Sequence, residues 1–153
     1  MHDEYTAVAS TRINAPTEVI WDALMNPEAT RQFMFGAHVI SDFHVGHPIK
    51  WKGEWQGRPY EDKGIILEVR PLRRLKYSHF SPLTGQPDVP ANYHTVTVEL
   101  SADGPQTMVS LTQDNNESKE ARVHSEKNWA SMLAALKKLV ESETASHVSA
   151  APP

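Results

Sequence analysis

The chain changes its hydrophobic period three times. From Glu4 to Ile13 apolar and polar side chains alternate moderately, with Thr, Val and Ala prominent, which predicts a strand. Val19, Ile20, Ala23 and Leu24 then recur at helical spacing behind Asn14-Ala15-Pro16-Thr17-Glu18. Asn14 or Ala15 would start that helix, with Pro16 at or near its first position and Glu18 in its first turn. Pro27 disfavours helical backbone at Asn26, so the helix ends there. A second short helix is expected from Pro27 or Glu28 to about Phe33, closed by Gly36.

Beyond Gly36 the period drops to two. Val39-Ile40-Ser41 and Ile49 to Trp55 read as strands, the latter with Ile49, Trp51 and Trp55 on one face and Lys50, Lys52 and Glu54 on the other. Gly46-His47-Pro48 and Gln56-Gly57-Arg58-Pro59 read as turns. Tyr60 to Val69 is a long strand with Gly64 as a bulge or bend, and Ile65 and Leu67 are assigned to its inner face. Arg74 to Phe80 follows Pro71 and puts Leu75, Tyr77 and His79 on one face. Residues 81–91, with three prolines, form a loop. Tyr93 to Leu100 and Thr107 to Asp114 make a hairpin about Ser101-Ala102-Asp103-Gly104-Pro105.

The period changes again near Ser118. Up to Ser142 there is no Gly or Pro, and Val123, Trp129, Met132, Leu133, Leu136, Leu139 and Val140 fall three and four apart, which predicts one long amphipathic helix. Residues 143–153 read as a disordered polar tail, so residues 1–142 are expected to be a single domain. A long antiparallel sheet needs a cover for its apolar face, and only this helix is large enough. The expected fold is α+β: a curved sheet of six to seven strands wrapped around the C-terminal helix, with two short helices after strand 1. A ligand space between helix and sheet is the natural consequence.

Composition narrows the function classes. With 153 residues and 39% hydrophobic side chains the chain can bury a core unaided. The absence of cysteine removes disulfides, thiolate metal sites and thiol nucleophiles. No apolar run is long enough to span a membrane. The start, MHDEYTAVAS, carries acids and no basic stretch followed by an apolar one, so no signal or transit peptide is expected and the cytoplasm is the expected compartment. A net charge of −4 argues against nucleic acid as a partner. Charge is uneven, however. Residues 50–76 hold eight Lys or Arg against four acids, which marks either an ordinary solvated face or a protein-docking surface.

Ile13 to Glu28 (INAPTEVIWDALMNPE) resembles the first helical segment of the helix-grip superfamily, which includes START lipid-transfer domains, polyketide cyclases and bacterial SRPBCC proteins. Within it, the chain is most similar to proteins like the activator of the heat-shock-protein-90 ATPase. Glu68 to Ser78 (EVRPLRRLKYS), the Val96–Leu100 and Thr107–Gln113 segments, and Trp129 to Val140 (WASMLAALKKLV) fit that family's turn, last hairpin and C-terminal helix, over residues 4–142. His79 stands where the family often has Trp, Asn128 where it has Gly before the helix Trp, and Arg31 to Phe35 replaces a Trp-containing stretch. The resemblance implies the fold, a hydrophobic ligand, a chaperone-linked stress role as a second option, and frequent homodimers. Substrate does not carry over across a changed wall.

The residues assigned to a ligand site are Trp21, Phe33, Phe35, Trp51, Trp55, Tyr77, His79, His94, Val96, Gln113, Trp129, Met132, Leu133 and Leu136. Taken singly, each apolar member also fits a plain core. The polar members say more. By strand parity Tyr77, His79, His94 and Gln113 point to the concave face, where buried polar groups need partners. They would orient one end of the ligand, while the Phe33–Phe35 segment and the 81–91 loop gate it. No carboxylate on that face is seen to orient either histidine: Glu54, Glu68 and Glu99 point outward. His44 and His47 have HxxH spacing but sit in a turn without further ligands, so no metal site is assigned, and no cofactor is implied. A binding module is the leading reading. A co-chaperone-type interaction protein docking through residues 50–76, and a cyclase- or dehydratase-like pocket enzyme, are the alternatives.

Overall fold

The computed structural model describes residues 5–150, with side chains described over 5–143. Seven antiparallel strands form one sheet: β1 (Ala7–Ile13), β2 (His38–Ile40), β3 (Pro48–Trp55), β4 (Arg58–Arg70), β5 (Arg74–His79), β6 (His94–Asp103) and β7 (Gln106–Gln113), in the order β1-β7-β6-β5-β4-β3-β2. From β2 to β7 each strand pairs with the next in sequence, as consecutive strands usually do, through short turns after β3, β4 and β6 and a longer connection over residues 80–93 between β5 and β6. β1 then closes on the far edge against β7, with Ala7 opposite Gln113 and Ile13 opposite Thr107.

Between β1 and β2 lie α1 (Thr17–Met25) and α2 (Pro27–Phe33). Pro16 is the N-cap of α1 and not a residue inside it. Asn26 ends α1 and caps α2, its side chain accepting from the Glu28 amide at 2.9 Å. After α2 the chain reverses through Phe35 and Gly36, at φ 55° and 94°. Only the second of these suits its residue, since a left-handed backbone is free for Gly and strained for Phe.

α3 (Lys119–Ala150) lies across the concave face. It buries Met132, Leu133, Leu136 and Val140 against Val96, Val98, Val109 and Leu111. Each such side chain contributes about 1.5–3 kcal/mol on leaving water. The helix thus continues past Ser142, where a tail was expected, and residues 151–153 lie outside the described residues.

β4 departs from the expected alternation. Its register against β5 shifts between Ile66 and Glu68. Ahead of that bulge Ile66 is fully buried, whereas Ile65 and Leu67 are 47% and 43% exposed. The assignment of Ile65 and Leu67 to the inner face is therefore corrected. One extra residue in a bulge reverses the parity of everything on its far side. Trp55 is likewise corrected. It has the parity of Trp51 but ends its strand beside the Gln56-Gly57 turn, beyond the covered part of the sheet, and is 55% exposed.

Candidate functional site

A cavity of about 200 Å³ lies between the concave sheet and the start of α3. The sheet builds its floor by register. Trp51 on β3 stands opposite Asp62 on β4, Tyr77 on β5 opposite Val96 on β6, and Val96 in turn opposite Gln113 on β7. Partners across a strand share a face, so these side chains rise together. α3 adds Trp129 and Met132 as the roof, and Phe35 stands at the edge, 65% exposed.

Of the residues assigned from the sequence, Phe35, Trp51, Tyr77, His79, Gln113, Trp129 and Met132 line this cavity. The others do not. Phe33, Val96, Leu133 and Leu136 are packed into the core, and Trp21 is half-buried against it. Trp55 is at an exposed hairpin tip. His94 opens onto a separate, polar hollow with Asn92, Asn115 and His124. The 81–91 loop borders that hollow and another beside Lys63, not the central cavity.

Six lining residues were not among those assigned from the sequence: Met34, Ala37, Tyr60, Asp62, Ser125 and Asn128, of which Asp62 matters most. The Asp62 carboxylate (Oδ2) lies 2.9 Å from His79 Nε2. It is an orienting carboxylate that was not assigned from the sequence, where Glu54, Glu68 and Glu99 were considered for that role. The pair is well shielded, its side chains only 15% and 22% exposed. Trp51 packs its ring against both Tyr77 and His79, at centroid distances of 4.9 and 5.1 Å. The first contact is tilted and the second edge-on, the arrangements that aromatic ring quadrupoles favour. The far atoms of the pair, Asp62 Oδ1 and His79 Nδ1, are buried and have no hydrogen-bond partner.

Gln113 has a different task. Its carbonyl oxygen accepts from the Trp129 indole N–H, and its amide nitrogen donates to Asn116 Oδ1. Asn116 in turn donates to the Tyr5 carbonyl and accepts from Ser125. Both ends of the Gln113 amide are engaged, so it clamps α3 to the sheet at the cavity wall.

Burial sets the protonation states at the site's margins. Full burial pushes the Tyr77 phenol above its usual range, so it stays a neutral donor. Burial of Tyr60, with the Asp62 charge nearby, does the same there. Burial lowers the His94 imidazole below 6.5, against the opposing pull of the Asp114 carbonyl, while His79 lowers it further. His94 Nδ1–H donates to that carbonyl at 2.8 Å, which assigns its tautomer.

The cations of residues 50–76 are largely neutralised. Lys50 and Lys52 flank Glu61, Arg70 and Arg74 share Glu68, and Lys63 pairs with Asp88. Arg58, Arg73 and Lys76 have no ion pair among the described residues. A compact trio, Asp42, His44 and His47, brings three ligand-type atoms within 4.8 Å of one another, all solvent-exposed. Among the described residues no helix is long and apolar enough to cross a membrane.

Comparison with known proteins agrees with the architecture. Residues 14–141 match the family described as Activator of Hsp90 ATPase homolog 1-like protein. A solution structure from Cytophaga hutchinsonii is 52% identical, covering 92% of this chain and 96% of that one, with a TM-score of 0.79. The solution structure of the Aha1 dimer from Colwellia psychrerythraea is 20% identical over 89% of this chain and 96% of that one, with a TM-score of 0.69. CalU16 from Micromonospora echinospora is 23% identical over 91% of this chain and 78% of that one, with a TM-score of 0.68. The last two are similar in fold alone. No curated protein matches the chain.

Proposed function

The chain belongs to the Activator of Hsp90 ATPase homolog 1-like family, and on that premise we propose that it binds a small, largely apolar molecule between the sheet and the C-terminal helix. The observation that carries this reading is the cavity. It holds about 200 Å³ walled by Trp51, Tyr60, Tyr77, Trp129 and Met132, with Asp62 and His79 as a polar pair on the sheet side and Gln113, Ser125 and Asn128 beside α3. An apolar space of about 150 Å³ accommodates benzene, so one ring or a short branched chain fits inside. The rest of a larger ligand would emerge past Phe35. Burial of apolar surface drives binding at roughly 25 cal/mol per Å², and the polar pair orients the ligand.

The test is a thermal-shift and tryptophan-fluorescence screen with small aromatic and aliphatic compounds. A ligand of the folded state raises the Tm by linkage, and Trp51 and Trp129 report on the cavity directly. Met132→Trp fills the space and should abolish both signals. Shifts that survive this variant would place the ligand elsewhere and overturn the reading.

A second reading, a pocket enzyme of the cyclase or dehydratase type, draws on the Asp62–His79 contact. A carboxylate that orients an imidazole is the arrangement of a general acid/base pair. Turnover of a bound ligand, lost in His79→Phe with binding retained, would establish it. The chaperone-partner reading draws on the family's description and the basic region. With five of the eight cations of that region already held by carboxylates, a docking surface there would work through Arg58, Arg73 and Lys76.

A further inference from the structure

The Asp62–His79 pair leaves two acceptors without donors in a cavity walled mainly by aromatic and apolar side chains, with Gln113, Ser125 and Asn128 as its further polar members. Asp62 Oδ2 accepts from His79 Nε2 at 2.9 Å, which leaves Asp62 Oδ1 and His79 Nδ1 buried and unpartnered. An ionised carboxylate only accepts hydrogen bonds. An imidazole that donates through Nε2 accepts through Nδ1 in its neutral form. A buried polar atom without a partner costs about as much as a lost hydrogen bond, so a site that stores two of them is completed by what it binds.

The neighbours do not complete it. Gln113 spends its amide on Trp129 and Asn116. His94 sits 6.4 Å from His79 by ring centroids and gives its Nδ1–H to the Asp114 carbonyl. Ser125, also at the cavity wall, donates to Asn116. These three side chains are engaged away from the pair, no Lys or Arg lines the cavity, and the lining hydroxyls of Tyr60 and Tyr77 and the Asn128 amide make no hydrogen bond to Asp62 Oδ1 or His79 Nδ1.

We propose that the pair selects the ligand by its head group: the cavity takes an uncharged, hydroxyl-bearing molecule of about one ring, an alcohol or phenol, and rejects the matching carboxylate. This deepens the binding reading above and rests on it. A hydroxyl donates to Asp62 Oδ1 or His79 Nδ1. A carboxylate offers no donor and meets the Asp62 charge at short range, with no cation at the wall to offset it. An apolar isostere gains the aromatic walls and leaves both acceptors unpaired. Fatty-acid-type ligands are excluded on the same ground.

The experiment compares three compounds of one skeleton: 4-propylphenol, propylbenzene and 4-propylbenzoate. Affinities are read near neutral pH by calorimetry, and amide shift changes in nitrogen-15-labelled protein locate the site. The expected order puts 4-propylphenol at least about tenfold ahead of both others. Asp62→Asn should narrow the gap to 4-propylbenzoate by removing the charge, and His79→Phe should narrow the gap to propylbenzene by removing an acceptor. Circular dichroism checks that each variant is folded, and the wild-type ordering decides the matter even if one is not. Equal binding of all three would overturn the inference, leave the cavity reading standing, and mean that the pair holds water only. Preference for the benzoate would also overturn it. Binding by none of the three would overturn both.

Discussion

At the scale of single residues, His94 is the clearest pH-sensitive group. Its folded pKa lies below the unfolded value of 6.5, chiefly through burial. The unfolded chain therefore binds more protons than the folded one as pH falls through that value. Stability from this residue is complete above 6.5 and lost below it. Wild-type protein should lose more Tm than His94→Gln between about pH 7.5 and 5.5; equal losses would assign the imidazole no such role. Phe35 is a second case. It keeps a left-handed backbone at φ 55° while exposing most of its ring. Phe35→Gly should hold or raise stability by up to about 1 kcal/mol, since Gly carries no penalty there. The same change removes the aromatic edge of the cavity and should weaken ligand binding. A drop in stability with binding unchanged would mean that the ring serves packing alone.

At the scale of elements, β4 decides the site. Its bulge between Ile66 and Glu68 is what turns Asp62 and Tyr60 inward. Lysine at position 65 or 67 should leave the Tm within a few degrees, whereas Ile66→Lys should prevent folding by burying an unpaired charge. The reverse pattern in thermal melts would refute the register. Gly64 is required by the same strand, because a Cβ there would lie 1.7 Å from the Ser78 carbonyl oxygen. Gly64→Ala should cost about 3 kcal/mol or more in denaturant titrations. In α3 the apolar stripe is plain, and Leu136→Ala should cost about 2 to 5 kcal/mol. A loss under 1 kcal/mol would mean that the stripe does not anchor the helix.

At the scale of the whole molecule, the sheet curves around α3 and is covered there, and the cavity is the part of that interface that the side chains leave open. Met132→Trp should therefore keep the fold, with a Tm within a few degrees of wild type, while ending ligand binding. The sequence by itself determined the element order, the two short helices, the stripe of α3 and the inward row of Leu75, Tyr77 and His79, because hydrophobic period and turn chemistry are local properties. It also pointed to Trp51, Trp129 and Met132 as walls. The tertiary structure alone decided which face of β4 looks inward, since one inserted residue inverts an alternation whose composition is unchanged. It alone separated His94 from His79, which are opposite each other on neighbouring strands yet face different hollows. It alone joined Asp62 to His79 across 17 positions of sequence. Burial and partnership between distant residues depend on where the chain returns, and no local pattern encodes that.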